Sequence, residues 1–160
     1  MNYLLTSLIV AFASFNAAAM DTNHKGHEMQ FDTIEISGLV LSKFKARATI
    51  GQMPNSGAYG EIRSAKGDRL VRVSSDAADV VELHKHINDD GVMRMREAPE
   101  GFTIHPGQAM KMTPGGYHIM LLNVRESLKA GTMINLVLQF ESGKTAEIAI
   151  PVVSVRAMHH

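Results

Sequence analysis

Apolar and polar residues alternate in short runs along most of the chain, and turn chemistry separates the runs. The candidate strands are Thr33–Ser37, Val40–Ala48, Ala58–Arg63, Leu70–Ser74, Val80–Ile87, Val92–Arg96, Gln108–Met112, Tyr117–Asn123, Thr132–Phe140 and Thr145–Val153. Between them lie Pro54-Asn55-Ser56-Gly57, Lys66-Gly67-Asp68, Asn88-Asp89-Asp90-Gly91, Pro114-Gly115-Gly116 and Ser142-Gly143, all residues that favour turns. No segment holds a helical period, and there is no internal repeat. Many short strands at a spacing of roughly ten residues predict an all-β antiparallel sandwich or barrel.

Two runs break this pattern. Leu4–Phe15 is apolar and short, and Ala17-Ala18-Ala19 follows as a small-residue cleavage site, so residues 1–19 read as a signal peptide. The stretch before it carries no Lys or Arg, unlike most signals, and an uncleaved anchor is the alternative. The run is short for a span, so no membrane segment is expected after cleavage. Residues 20–30 are polar and read as a flexible tail, residues 31–155 as one β-sandwich domain, and residues 156–160 as a C-terminal tail. Export to the periplasm is the expected localisation.

Composition matters here for what it excludes. Lys plus Arg and Asp plus Glu number 16 each, so the formal net charge is zero and nothing suggests a nucleic-acid partner. There is no Cys, which excludes disulfides, thiolate zinc sites, thiol catalysis and a blue-copper centre. Against that stand 11 Met and 8 His.

Their positions are patterned. In Val80–Ile87, Val81, Leu83 and Ile87 point one way, and Glu82, His84 and His86 the other. The turn at Asn88–Gly91 predicts a hairpin that lays Val92–Arg96, with Met93 and Met95 on one face, beside that strand. In Tyr117–Asn123, His118 and Met120 share a face opposite Tyr117, Ile119 and Leu121. Imidazole and thioether suit the soft ion Cu(I). Thioether also survives an oxidising compartment in which a free thiolate would be lost to disulfide. It discriminates as well against zinc, calcium and magnesium. The candidate metal set is therefore His84, Met95, His118 and Met120, with His86 and Met93 as possible additions. Taken singly, a Met on a strand is usually core filler and an exposed His is only a surface residue, so the set depends on three faces converging. Met110 and Met112 read as packing or a site rim, and His105 as a loop residue. Met53 is ambiguous. His24, His27 and Met29 in the first tail, and Met158, His159 and His160 in the last, are candidates for capturing a metal by ligand exchange, Cu(II) included.

The runs VVELHKHINDDGVMRMRE, PGGYHIMLLNV and LKAGTMINLVLQFESG, with KARAT at Lys45–Thr49 and GAYGEIRS at Gly57–Ser64, resemble the periplasmic copper chaperone family PCu(A)C. The family pattern is a His, ten residues, a Met, about twenty-one residues, then His-x-Met. His84, Met95, His118 and Met120 match it residue by residue, and the resemblance runs from about Ile34 to Val153. The second spacing is longer here by one residue, which requires an insertion within Arg96–Tyr117. His86 stands where many members carry Met or another residue, so it could supplement or replace His84. The family's Trp is absent, with Lys43-Phe44 in that neighbourhood.

The resemblance implies a cupredoxin-like Greek-key β-sandwich or barrel without the cupredoxin Cys, binding Cu(I) near its surface. It implies delivery to an acceptor such as the CuA-bearing subunit of cytochrome c oxidase, in some cases with a thioredoxin-like copper chaperone as partner. An exported copper-tolerance or storage protein, and a β-sandwich module that binds no metal, are the alternative functions. An enzyme is not expected. A copper monooxygenase would need His at the mature amino terminus, where His24 is internal, and no Ser–His–Asp order or paired carboxylates stand out.

Overall fold

The computed structural model describes residues 33–159. The expected signal peptide at 1–19, the tail with His24, His27 and Met29, and His160 lie outside the described residues. Within them the chain forms β1 (Ile34–Ile36), β2 (Leu39–Arg47), β3 (Ser56–Ser64), β4 (Asp68–Ser74), β5 (Ala78–Asp89) and β6 (Val92–Glu97). There follow β7 (Phe102–Ile104), β8 (Ala109–Met112), β9 (His118–Val124), β10 (Met133–Phe140), β11 (Thr145–Val153) and a 3-10 turn at Arg156–His159. All ten expected strands are present, and the all-β class holds. The addition is β7, whose three residues are too few to show an alternation. The last residues also differ from the expected tail: Met158 is buried and packs with Tyr59 and Val153.

The strands join in the order β6-β5-β9-β3-β2-β11-β10-β4-β7, with β1 on β2 and β8 on β3. Pairing is antiparallel except where β11 meets β2 at Val152–Ala46 and Val153–Arg47. That parallel contact joins a layer of β1, β2, β3, β5, β6, β8 and β9 to a layer of β4, β7, β10 and β11. Between the layers lies one core, with Leu41, Ile62, Leu83, Ile119 and Leu121 from the first and Leu70, Leu136, Leu138 and Ile148 from the second. Each of these belongs to an alternating set whose other members face outward, so burial fixes the register.

Two local features matter for the site. The β5–β6 hairpin closes through Asp90 and Gly91, at φ 49° and 84°, the positive pair a two-residue turn needs. It aligns His86 with Met95 and His84 with Glu97. In β2, a bulge between Ser42 and Lys45 with Lys43 at φ 56° turns Phe44 into the core. The Phe44 ring lies over Gly60, where an added Cβ would come within 2.7 Å of it. Phe44 is 5% exposed.

Candidate functional site

β5, β6 and β9 carry the candidate donors, and their pairing sets the geometry. His84 is opposite His118, and Glu82 is opposite Met120. Met120 is also opposite Gly57 of β3. Residues opposite one another share a face, so Glu82, His84, His86, Met93, Met95, His118 and Met120 all lie on the side of the sheet away from the core. The alternate residues Leu83, Ile119 and Leu121 hold that sheet down.

The three imidazoles meet. The ring of His118 lies 5.7 Å from that of His84 and 5.4 Å from that of His86, centre to centre. The Sδ of Met95 is 3.2 Å from His118 Nε2. Met120 lies one same-face position beyond His118 and is half-buried. Exposure is graded along the face: Met93 is 59% exposed, Met95 41% and His118 4%.

His84 and His86 each have one nitrogen in contact, and His118 has both. His118 Nδ1 is 3.1 Å from the Gly116 carbonyl oxygen, and His86 Nδ1 is 3.3 Å from the same oxygen. A carbonyl only accepts, so the tautomer that bonds Gly116 donates through Nδ1 and carries its lone pair on Nε2, which in His118 faces the Met95 sulfur. His84 is arranged the other way round. Its Nε2 is 2.7 Å from Glu82 Oε2, while its Nδ1 is buried without a hydrogen-bond partner. A buried nitrogen with no partner is costly, and a metal would satisfy it. An imidazole that donates to a carboxylate or carbonyl through one nitrogen and offers the other is the usual form of a ligating histidine.

Tyr59 closes the inner side. Its ring stacks on His118 at 6.1 Å, and Met158 packs against it. Gly57 makes room for the phenol, because a Cβ there would lie 2.8 Å from the Tyr59 oxygen. Burial pushes the Tyr59 hydroxyl up, with the Arg47 charge opposing it. Burial also holds His118 below the ordinary histidine value. The Gly116 hydrogen bond opposes that shift, and the neighbouring His84, His86 and Arg47 charges add to it.

The sign of the His118 effect gives a stability prediction. A folded state that favours the neutral ring suffers no penalty above the unfolded value of about 6.5, and a growing one as pH falls from there through the lower folded value. The urea midpoint of the metal-free protein is therefore expected to fall below about pH 6.5, and more steeply than that of His118→Gln. Parallel pH profiles for the two proteins would contradict this.

Among the described residues, no three His, Cys, Asp or Glu side chains are grouped so as to hold a metal by themselves. His105 is exposed in the segment between β7 and β8, while Met110 and Met112 are core residues. Met53 is exposed and outside the cluster. A groove of about 540 Å³ lined by residues including Asp76, Arg125, Leu128, Lys129 and Met133 contains none of the donors. The roles of Gly116 and Tyr59 were not foreseen. A carbonyl acceptor has no residue-type signature, and Tyr59 lies in a run that otherwise reads as core strand. Glu82 is paired with His84.

Comparison with known proteins agrees with this fold. A family model, "LpqE-like: Putative lipoprotein LpqE-like", matches residues 39–152. The "Putative lipoprotein Lxx21020" of Leifsonia xyli subsp. xyli is 32% identical over 120 residues, covering 74% of this chain and 71% of that protein. Among solved structures, the copper-bound PCuAC domain from PmoF2 superposes with a TM-score of 0.64 at 18% identity, covering 77% of this chain and 98% of the domain. The solution structure of CuI-DR1885 from Deinococcus radiodurans gives 0.59 at 21% identity, covering 76% and 80%. At these identities the structural likeness establishes a shared cupredoxin-like fold.

Proposed function

The chain belongs to the LpqE-like family, and from that premise we propose that it is an exported copper carrier, holding Cu(I) as cargo through His84, Met95, His118 and Met120 and passing it to an acceptor protein. The observation that carries the reading is that the His118 ring meets the Met95 thioether and the rings of His84 and His86, with the buried Nδ1 of His84 left without a partner. The solved domains that share the fold include one named as copper-bound and one named as a CuI form, which supports the choice of ion. The exposed Met95 end of the face suits transfer, since an incoming ligand can reach the ion there before the outgoing ones leave. Redox chemistry is not required.

The CuA subunit of cytochrome c oxidase remains the proposed acceptor, with a thioredoxin-like copper chaperone as a proposed co-partner. Both rest on the family pattern in the sequence. Export rests on the first 19 residues and on the lipoprotein family. The 160 residues contain no cysteine, so a cysteine-linked lipid has no attachment point within them. Among the described residues no helix is long and apolar enough to cross a membrane.

The test is titration of the metal-free protein with Cu(I) against a coloured chelator. One ion per chain is expected, with X-ray absorption reporting both sulfur and nitrogen neighbours. No stoichiometric uptake would leave a β-sandwich module that binds no copper.

A further inference from the structure

β5 offers two imidazoles where a four-donor site needs one. His84 is the one in the repeated His–Met pattern, yet His86 is nearer the Met95 end of the face. It stands directly opposite Met95 in the hairpin register and is the closer of the two to His118, at 5.4 Å against 5.7 Å. Its Nδ1 shares the Gly116 carbonyl with the Nδ1 of His118, so one backbone oxygen orients two rings, and the Nε2 of His118 faces the Met95 sulfur. His84, by contrast, sits opposite His118, one same-face step further in, with Glu82 gripping its Nε2. The donors thus form a ladder: Met93 outermost, then His86 with Met95, then His84 with His118, then Met120 beside Glu82 and Gly57.

Taking the copper reading above as given, we propose that this face has two copper positions that share His118. The outer one, made by His86, Met95 and His118, is where copper enters and leaves. The inner one, made by His84, Met95, His118 and Met120, is where it is retained. Movement between them exchanges His86 for His84 and adds Met120 while His118 and Met95 keep hold. No electron or proton need be transferred in that step: one nitrogen leaves the ion as another nitrogen and a sulfur arrive. The outer position requires no rearrangement of Glu82, which fits it to first contact. The inner one uses the buried Nδ1 of His84, whose Nε2 is taken by the Glu82 carboxylate.

The two positions separate rate from affinity. His86→Gln is expected to slow transfer of bound Cu(I) to an excess of bathocuproine disulfonate about tenfold, with an equilibrium affinity within about threefold of the parent. His84→Gln is expected to do the reverse, weakening affinity by about tenfold or more while leaving entry fast. Transfer by His86→Gln at the parent rate would overturn the outer position, as would a loss of affinity equal to that of His84→Gln. A parent that takes up no Cu(I) would overturn the copper reading itself. A metal-free readout needs no variant: long-range nitrogen–proton NMR of the parent is expected to find His86 and His118 protonated at Nδ1. Protonation of His86 at Nε2 instead would remove its free lone pair from the face and overturn the assignment.

Discussion

His118→Ala is expected to weaken Cu(I) binding by at least about a hundredfold, measured by chelator competition near neutral pH. Losing only an outer hydrogen-bond partner of a metal ligand typically costs ~10–100-fold, and losing the ligand costs more. His118 is the contact point of the whole cluster: the Met95 sulfur, both β5 imidazoles and the Tyr59 ring all meet it. It is also 4% exposed, so no other side chain can easily swing into its place. The matched control is His105→Ala, an exposed histidine outside the cluster, with no change expected. An affinity for His118→Ala within a few-fold of the parent would remove the site. Met120→Ala should follow His118→Ala in direction and size, because the two lie on one strand and face the same way.

The second large effect concerns stability. Phe102→Ala is expected to lower unfolding free energy by about 3–5 kcal/mol, the usual range for emptying a buried aromatic position. For a domain of this size that is a fall in Tm of roughly 10 °C or more. Phe102 is 2% exposed and packs edge-on against Tyr117 at 4.9 Å. Tyr117 is flanked by Gly116, whose carbonyl orients two imidazoles, and by His118 itself. The substitution should therefore reach the site as well, lowering Cu(I) affinity in protein that is still folded. Calorimetry that showed a change below about 1 kcal/mol would mean that the β7 edge contributes little to the core.

The strands were legible where burial on one face imposes a period of two, as in Leu39–Arg47 and Met133–Phe140. The strand β7 escaped because three residues cannot display a period. The convergence of β5, β6 and β9 was half visible. Asp90-Gly91 announces the hairpin that sets Met95 opposite His86, but the pairing of β5 with β9, which sets His84 opposite His118, joins segments far apart in sequence. That pairing has no local signal. The same limit hid the second hydrogen bond to the Gly116 oxygen. The turn was plain from Pro114-Gly115-Gly116, but which donors its last carbonyl would find depends on a strand some thirty residues earlier. Residues 156–159 were expected to be tail because Arg156-Ala157-Met158-His159 is too short for a periodic pattern. What holds them is the docking of Met158 beside Tyr59 and a hydrogen bond from Lys45 Nζ to the Ala157 carbonyl, 3.2 Å long.

That docked end has a practical consequence for anyone purifying the protein. Met158 rests on Tyr59, which also stacks on the His118 ring, so the turn at Arg156–His159 lies close to the donor face. A polyhistidine handle fused there would bring a competing array of imidazoles to the mouth of the cradle and could take the ion itself. Stoichiometry or affinity measured on such a fusion would describe the handle as much as the protein, so the handle should be cut away before metal is added.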